Sequence, residues 1–383
     1  MVASAVWRLT AAIGAACFGV IGLHGTDAFR PPEPYNLEQL YKRTKLACQP
    51  ITLSCLQTQF QAITAQHGPR AAIELFTLLQ GRGDVSAVVD GHHIAHHIGH
   101  DTAAAFGPTA QALALCPPSY NYGCMHGFFQ HALGMDEITA GAAARICDDL
   151  AREPSLSLKA KVSCYHGYGH GVMESADHDL PRALGICYKL NTLSAVEGCW
   201  QGVFMENVDA ALDGKWQQGG FSLTDPLAPC DELKDRYRYQ CFINHSGWLM
   251  KFYDDDVAAA AQSCLKAPPG SSAPCLDTIG LLATNSAWQN RLMRKQSRKG
   301  SFLENAWTLC QEFPEGHVGD CVTAALDNLL NTNTVDPKEA QAFCDVVGEE
   351  YRSACAGRIG LDLRYLTPPE EKSAAKAGDK AAN

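Results

Sequence analysis

Most of the familiar catalytic and cofactor signatures are missing from this chain. It has no H-E-x-x-H, no G-x-S-x-G and no P-loop, which removes the usual zinc-protease, serine-hydrolase and nucleotide-binding patterns. It has no C-x-x-C and no C-x-x-C-H, so cysteine zinc ribbons, thioredoxin-type redox motifs and attached c-type haem lack support. Positive charge is scarce: the formal net charge is −10, and the one basic run, Arg291 to Lys299, reads as a solvated helix face or loop. Nucleic acid is therefore not an expected partner. Strand signals are few. Long apolar runs are confined to one, Leu9 to Leu23, preceded by Arg8. That run has the length of an export signal rather than of a full membrane span. Residues 1–24 are thus expected to be a cleaved signal peptide or a single N-terminal membrane anchor. Cys17 falls inside it.

Cysteine is what the chain has in abundance. Beyond Cys17 there are sixteen, an even number suited to disulfides in an exported protein. Paired in chain order they are Cys48/Cys55, Cys116/Cys124, Cys147/Cys164, Cys187/Cys199, Cys230/Cys241, Cys264/Cys275, Cys310/Cys321 and Cys344/Cys355. The last four pairs share a separation of 11 residues, and first members recur at 34 twice and at 68 once. This is the mark of an internal repeat. Each first cysteine ends an apolar helical run, as in "ENAWTLC". Each second one opens another, as in "GDCVTAALDNLL" and "APCLDTIGLLA", with Asp320 and Pro274 read as helix-start residues at N-cap and N1. The expected fold is all-α: a solenoid of about eight to nine αα-hairpins, most stapled by a disulfide. Closing each such loop stabilises by about 2–3 kcal/mol.

In length and hairpin design this pattern resembles tetratricopeptide and Sel1-like repeats, especially the cysteine-rich Sel1-like proteins. The likeness covers roughly residues 36–365 and is architectural. The tetratricopeptide W-x₂-L-G-x₂-Y pattern and the glycine-alanine signature of Sel1 repeats are not found, so it implies a fold class and no functional residues. The expected division is a linker at 25–35, the solenoid at 36–366 and a disordered tail at 367–383.

The doubled interval predicts a repeat without cysteines between Cys55 and Cys116. Its first helix, "AAIELFTLLQ", is expected to end at Gly81 as a C-terminal cap. Its second is expected to start after Asp90 as N-cap and reads "GHHIAHHIGHD".

Nine of the fourteen histidines lie between positions 92 and 170. They fall at related points of successive repeats, about 85–210. "CMHGFFQH" carries His126 and "CYHGYGHGVME" carries His166, each two residues after a cysteine and each followed by glycine. In "CWQGVFME" Gln201 replaces the histidine. Adjacent repeats stack about 8–10 Å apart, so such side chains can converge on one ion. The pairs His92/His96, His93/His97, His96/His100 and His166/His170 share helix faces by their i, i+4 spacing. Gln130 is the i+4 partner of His126, while His131 faces elsewhere. A first-turn position near the helix N-terminus would favour neutral His126 and His166.

The favoured ligand set is His93, His97, His126, His166 and His170. Behind it stand His92, His96, His100, His131, Glu174 and Glu206, the two carboxylates reading mainly as surface groups. His67, His178 and His317 read as surface or loop residues. A nitrogen-rich site without thiolate suits Zn, Fe or Cu, with non-covalent haem less favoured. Two functions follow: an exported metal protein, redox chemistry favoured over hydrolytic if it is an enzyme, or an exported repeat scaffold that binds a protein or peptide on its surface. The "HIGHD" at 97–101 looks like the doublet of HD phosphohydrolases, but its setting in an exported repeat array argues against that reading.

Overall fold

The computed structural model describes residues 29–366, apart from 87–88, 136–137, 153–155, 297–299 and 333–337. The proposed signal segment, the tail and the end of the basic run lie outside the described residues. Among the described residues there are helices and no strands, and no helix is long and apolar enough to cross a membrane.

Among the described residues, eight helical hairpins and one irregular unit follow one another. The first is α1 (Leu37–Ala47) with the first half of α2 (Leu53–Gly81). Helix α2 breaks at Gly68, whose φ of 80° is left-handed, directly before Pro69. Its second half pairs with α3 (Gly91–Phe106) in the hairpin that has no cysteines. Then come α4 (Ala110–Leu113) with α5 (Gly123–Gly134), α6 (Ala140–Ala151) with α7 (Leu158–Ser175), and α8 (Leu180–Cys187) with α9 (Leu193–Ala210). A π-helical turn, Ala211–Lys215, leads to a non-helical segment whose Cys230 is bonded into α10 (Asp235–Phe242), followed by α11 (Ser246–Phe252). The last three hairpins are α12 (Val257–Cys264) with α13 (Ser272–Leu282), α15 (Phe302–Cys310) with α16 (Val318–Thr332), and α17 (Lys338–Val346) with α18 (Glu349–Leu366). Helix α14 (Ser286–Gln296) is inserted before α15 and carries Arg291 and Lys295, which pair with Asp255 and Asp254.

All eight disulfides join the partners expected from spacing, with Cα–Cα distances of 5.3–5.8 Å. They are Cys48–Cys55, Cys116–Cys124, Cys147–Cys164, Cys187–Cys199, Cys230–Cys241, Cys264–Cys275, Cys310–Cys321 and Cys344–Cys355. The pairing matches the sequence reading, but the placement of most second cysteines does not. Cys124 and Cys55 do open their helices, as the second residue of α5 and the third of α2, while the other six lie deeper. Cys275 and Cys321 are the fourth residues of α13 and α16. Cys164, Cys199, Cys241 and Cys355 are the seventh residues of α7, α9, α10 and α18. A staple forms where two helix bodies come within reach of a disulfide, so its cysteine need not mark a helix tip.

Polar caps, not cysteines, set the helix starts. Thr52, Asp90, Thr109, Thr139, Ser157, Asp179, Thr192 and Asp256 each accept from a backbone N–H in the first turn. Ser157 and Thr192 thus start α7 and α9 well before Cys164 and Cys199. Pro274 and Asp320 lie inside the first turns of α13 and α16 rather than at their starts. Gly81 is still helical; Arg82 caps α2, and the left-handed residue is Gly83, with φ 76°.

The second helices form the inner layer. Helix α3 packs on α5, α5 on α7 and α7 on α9. Glycine lets them approach backbone to backbone. A Cβ on Gly127 would lie 1.8 Å from the His96 carbonyl oxygen, and one on Gly202 would lie 1.9 Å from that of His166. One apolar core runs the length of the array, from Leu40 to Ile359. The chain curls far enough for α18 to touch α7.

Candidate metal centre

Tight packing of α3, α5 and α7 brings five imidazoles together. His92 and His96 come from α3, His126 from α5, and His166 and His170 from α7. His92 Nε2 lies 3.1 Å from His96 Nε2, and His170 Nε2 lies 3.2 Å from His166 Nε2. His126 sits among the four: its Nδ1 is 3.2 Å from His96 Nε2, and its ring stacks on those of His166 and His170 at 4.6 and 4.8 Å. Two trios, His92/His96/His126 and His126/His166/His170, have the spacing needed to hold a metal ion.

The face that α3 presents decides which histidines take part. Gly99 and Ala95 abut α5 at Cys124 and Gly123. Residues 92, 95, 96 and 99 share that side of the helix. His93 and His97, favoured from sequence, are one position round, which on a helix is about 100°. Both are exposed. His93 stands at the rim with its ring 6.2 Å from His96. His97 lines a different, polar cleft of about 370 Å³ with Ser54, Gln57, Gln61, His100 and Asp101. His100 Nε2 and His131 Nδ1 are 3.0 Å apart, a second pair away from the five.

Four of the five rings are held from behind by their Nδ1 atoms. His92 Nδ1 meets the Tyr120 carbonyl at 2.7 Å, and His96 Nδ1 meets Gln130 Oε1 at 2.9 Å. His166 Nδ1 meets Gln201 Oε1 at 3.1 Å, and His170 Nδ1 meets Glu206 Oε2 at 2.9 Å. Gln130 Nε2 donates to the same Glu206 oxygen at 2.8 Å, so Gln130 Oε1 is the end left to accept from His96. A carbonyl or carboxylate oxygen only accepts. With Glu206 ionised, the proton of each of these four rings therefore sits on Nδ1, and each of their Nε2 atoms keeps a bare lone pair. Two such nitrogens face each other at 3.1 Å and two at 3.2 Å, with no proton between either pair.

Protonation does not resolve this. Burial, then neighbouring imidazoles, hold His96, His126 and His166 well below the usual histidine value; His92 is lowered by burial too. Burial brings His170 down to about 3. Burial is thus the cause of neutrality: His126 does lie in a first turn, but His166 is mid-helix. Glu206, read from sequence as a surface group, is 8% exposed. Burial and then Glu174 raise its carboxyl to about 7. Burial and Glu206 raise the neighbouring Asp209 likewise to about 7.

Glu174 is exposed, and with Glu206 and His178 it forms a further metal-capable trio. His178, expected at the surface, is buried and meets Lys215 Nζ at 3.0 Å. His67 is half-buried against Tyr35, and His317 bonds Asp320 at 2.8 Å. His245 is fully buried. Its Nε2 donates to the Pro226 carbonyl at 2.7 Å, and Nδ1 faces Cys230 Sγ of the disulfide at 3.5 Å.

Sequence reasoning gave no weight to Tyr120 and saw Gln201 only as a lost histidine. Gln201 had a visible signal, the register with His126 and His166. The Tyr120 carbonyl had none, because any residue supplies one. No protein-family model, curated protein or solved structure matches this chain.

Proposed function

We propose that this is an exported transition-metal protein whose centre is His92, His96, His126, His166 and His170. The observation that carries the reading is the facing of bare Nε2 lone pairs at 3.1 and 3.2 Å. Two ligands on one ion with bonds of about 2.05 Å are separated by about 3.3 Å in tetrahedral and about 2.9 Å in octahedral geometry. The observed spacings fall between. Nδ1 atoms tied to oxygen acceptors are also how metal-bound imidazoles are usually oriented. The donors are all nitrogen, which suits Zn, Fe or Cu and suits Ca poorly.

Eight disulfides support an oxidising, exported setting. His92, His96 and His166 are only half-buried, so the cluster opens on one side. A metal with an open position there would activate water or carry redox chemistry. The reading as a pure scaffold, with structural histidines, leaves the facing lone pairs unexplained. Elemental analysis of the purified protein is the test. Stoichiometric metal is expected. A protein that arrives metal-free and takes up no Zn, Fe or Cu refutes the proposal.

A further inference from the structure

His126 differs from the other four histidines. Those four turn Nδ1 outward to an oxygen and keep one nitrogen, Nε2, for the cluster. His126 turns Nδ1 inward, to His96 Nε2 at 3.2 Å, and among the described residues it has no oxygen partner. Both of its ring nitrogens are therefore left to the cluster. Its helix, α5, is the middle one, packed on α3 and on α7.

The five rings do not make one set. They divide into two trios, and His126 is the member that both share. Ring spacing divides them in the same way. An imidazole centre stands about 3.2 Å from an ion it binds, so two rings on one ion are about 4.5 Å apart at a right angle and about 5.2 Å at the tetrahedral angle. In the first trio, His92/His96, His92/His126 and His96/His126 are 4.6, 5.1 and 5.1 Å apart. In the second, His126/His166, His126/His170 and His166/His170 are 4.6, 4.8 and 5.1 Å apart. All six distances fall in that window. Among the described residues one ring contact crosses between the trios without His126: His96/His170, at 5.3 Å, just outside it.

We infer that the cluster holds two transition-metal ions bridged by the His126 ring. Nδ1 joins His92 and His96 Nε2 on one ion, and Nε2 joins His166 and His170 Nε2 on the other. This rests on the metal reading above and adds its stoichiometry. In the metal-free protein the His126 proton sits on Nδ1, where the bare His96 Nε2 accepts it. The ion on the α7 side binds with that proton in place. The ion on the α3 side displaces it: the Nδ1–H bond breaks, a metal–Nδ1 bond forms, and the proton leaves to water. The bridging ring is then an imidazolate, with the ions about 6 Å apart across it. Three nitrogens leave each ion an open position.

The test loads the full chain with Cu(II) and desalts it before measurement. A His93→Ala/His97→Ala background keeps that exposed pair from taking up copper. Elemental analysis should find two coppers per chain. The low-temperature EPR signal should grow with the first equivalent. With the second it should fall well below that of two independent ions, because an imidazolate couples their spins. His92→Gln in the same background should keep one copper with its full signal. One copper per chain before that substitution overturns the inference and leaves the metal reading standing, as do two coppers whose signals simply add. Failure to take up copper overturns both.

Discussion

One added methyl should separate the two halves of the histidine cluster. In Gly127→Ala, the new Cβ would be built 1.8 Å from the His96 carbonyl oxygen, 2.5 Å from its carbon and 2.8 Å from its Cα. These are backbone atoms in a helix, so no side chain can turn aside. A tolerable C···O contact is about 3.3 Å, so α3 and α5 must part by about 1.5 Å. The same interface carries His96 Nε2 to His126 Nδ1 at 3.2 Å and His96 Nδ1 to Gln130 at 2.9 Å. Neither survives that displacement. Overpacking of this kind costs about 1–3 kcal/mol. Gly185→Ala on α8 is the control, since nothing lies within 4 Å of its added Cβ. It should stabilise by about 0.5–1 kcal/mol, as alanine does in a helix interior. Urea unfolding of the metal-free proteins measures both signs, and cobalt titration measures the site. A Gly127→Ala protein as stable as the parent, with full metal uptake, would refute the packing argument.

Three other outcomes follow. Single His96→Ala and His170→Ala variants should lose stoichiometric metal while His93→Ala and His97→Ala keep it; the reverse pattern would show that α3 turns its other face to the site. Burial holds His245 at about 4 against an ordinary value near 6.5. A histidine lowered on folding loses stability as pH falls from about 6.5 toward 4, by about 1.4 kcal/mol per pH unit, or about 3 kcal/mol in all. Denaturant curves at pH 6.5 and pH 4 should show His245→Gln losing less than the native protein by about that amount, and identical losses would mean that His245 protonates freely. Replacing Cys310 and Cys321 together by alanine should cost about 2–3 kcal/mol by the loop-closure argument, measured by urea unfolding without reductant.

Local features of the sequence carried the fold further than the site. Cysteine spacing revealed all eight staples, because each bond closes a short loop within one hairpin. It did not reveal where each helix begins: Cys275 and Cys355 both sit 11 residues after their partners, yet one is in the first turn of α13 and the other a full turn deeper in α18. Asp90 announced the start of α3 because an N-cap acts within its own first turn. The face of α3 was harder. His92/His96 and His93/His97 have the same spacing and differ only in rotation. Ala95 and Gly99, the small residues that touch α5, were the available discriminators, and they point to His92 and His96. The positions of Glu206 and Gln130 are another matter. Their bond spans 76 residues and exists only because α5, α7 and α9 stack in register. His178 was misread as a surface group for the same reason: Lys215, which covers it, is 37 residues away.

Glu206 is where the metal and structural readings predict opposite results. Its carboxyl is raised to about 7 from an ordinary value of 4.5. A carboxyl raised on folding contributes its full stability below about pH 4.5 and loses it as pH rises through about 7. At pH 8 the buried carboxylate should therefore cost the metal-free protein about 3 kcal/mol. Glu206→Gln keeps the shape and an oxygen that can accept from His170 Nδ1 and Gln130, but removes the charge. Metal-free Glu206→Gln should accordingly be more stable than the native protein at pH 8 and gain little at pH 4.5. Its metal affinity should fall about ten- to a hundredfold, since an uncharged acceptor leaves the His170 ring a poorer donor. Such a trade of stability against binding is what a functional site imposes. If Glu206 served only to brace the helices, the amide would leave metal affinity unchanged. Denaturant curves at both pH values and competition against a chelator separate the two, and a destabilised variant with native metal affinity would refute the metal reading of this carboxylate.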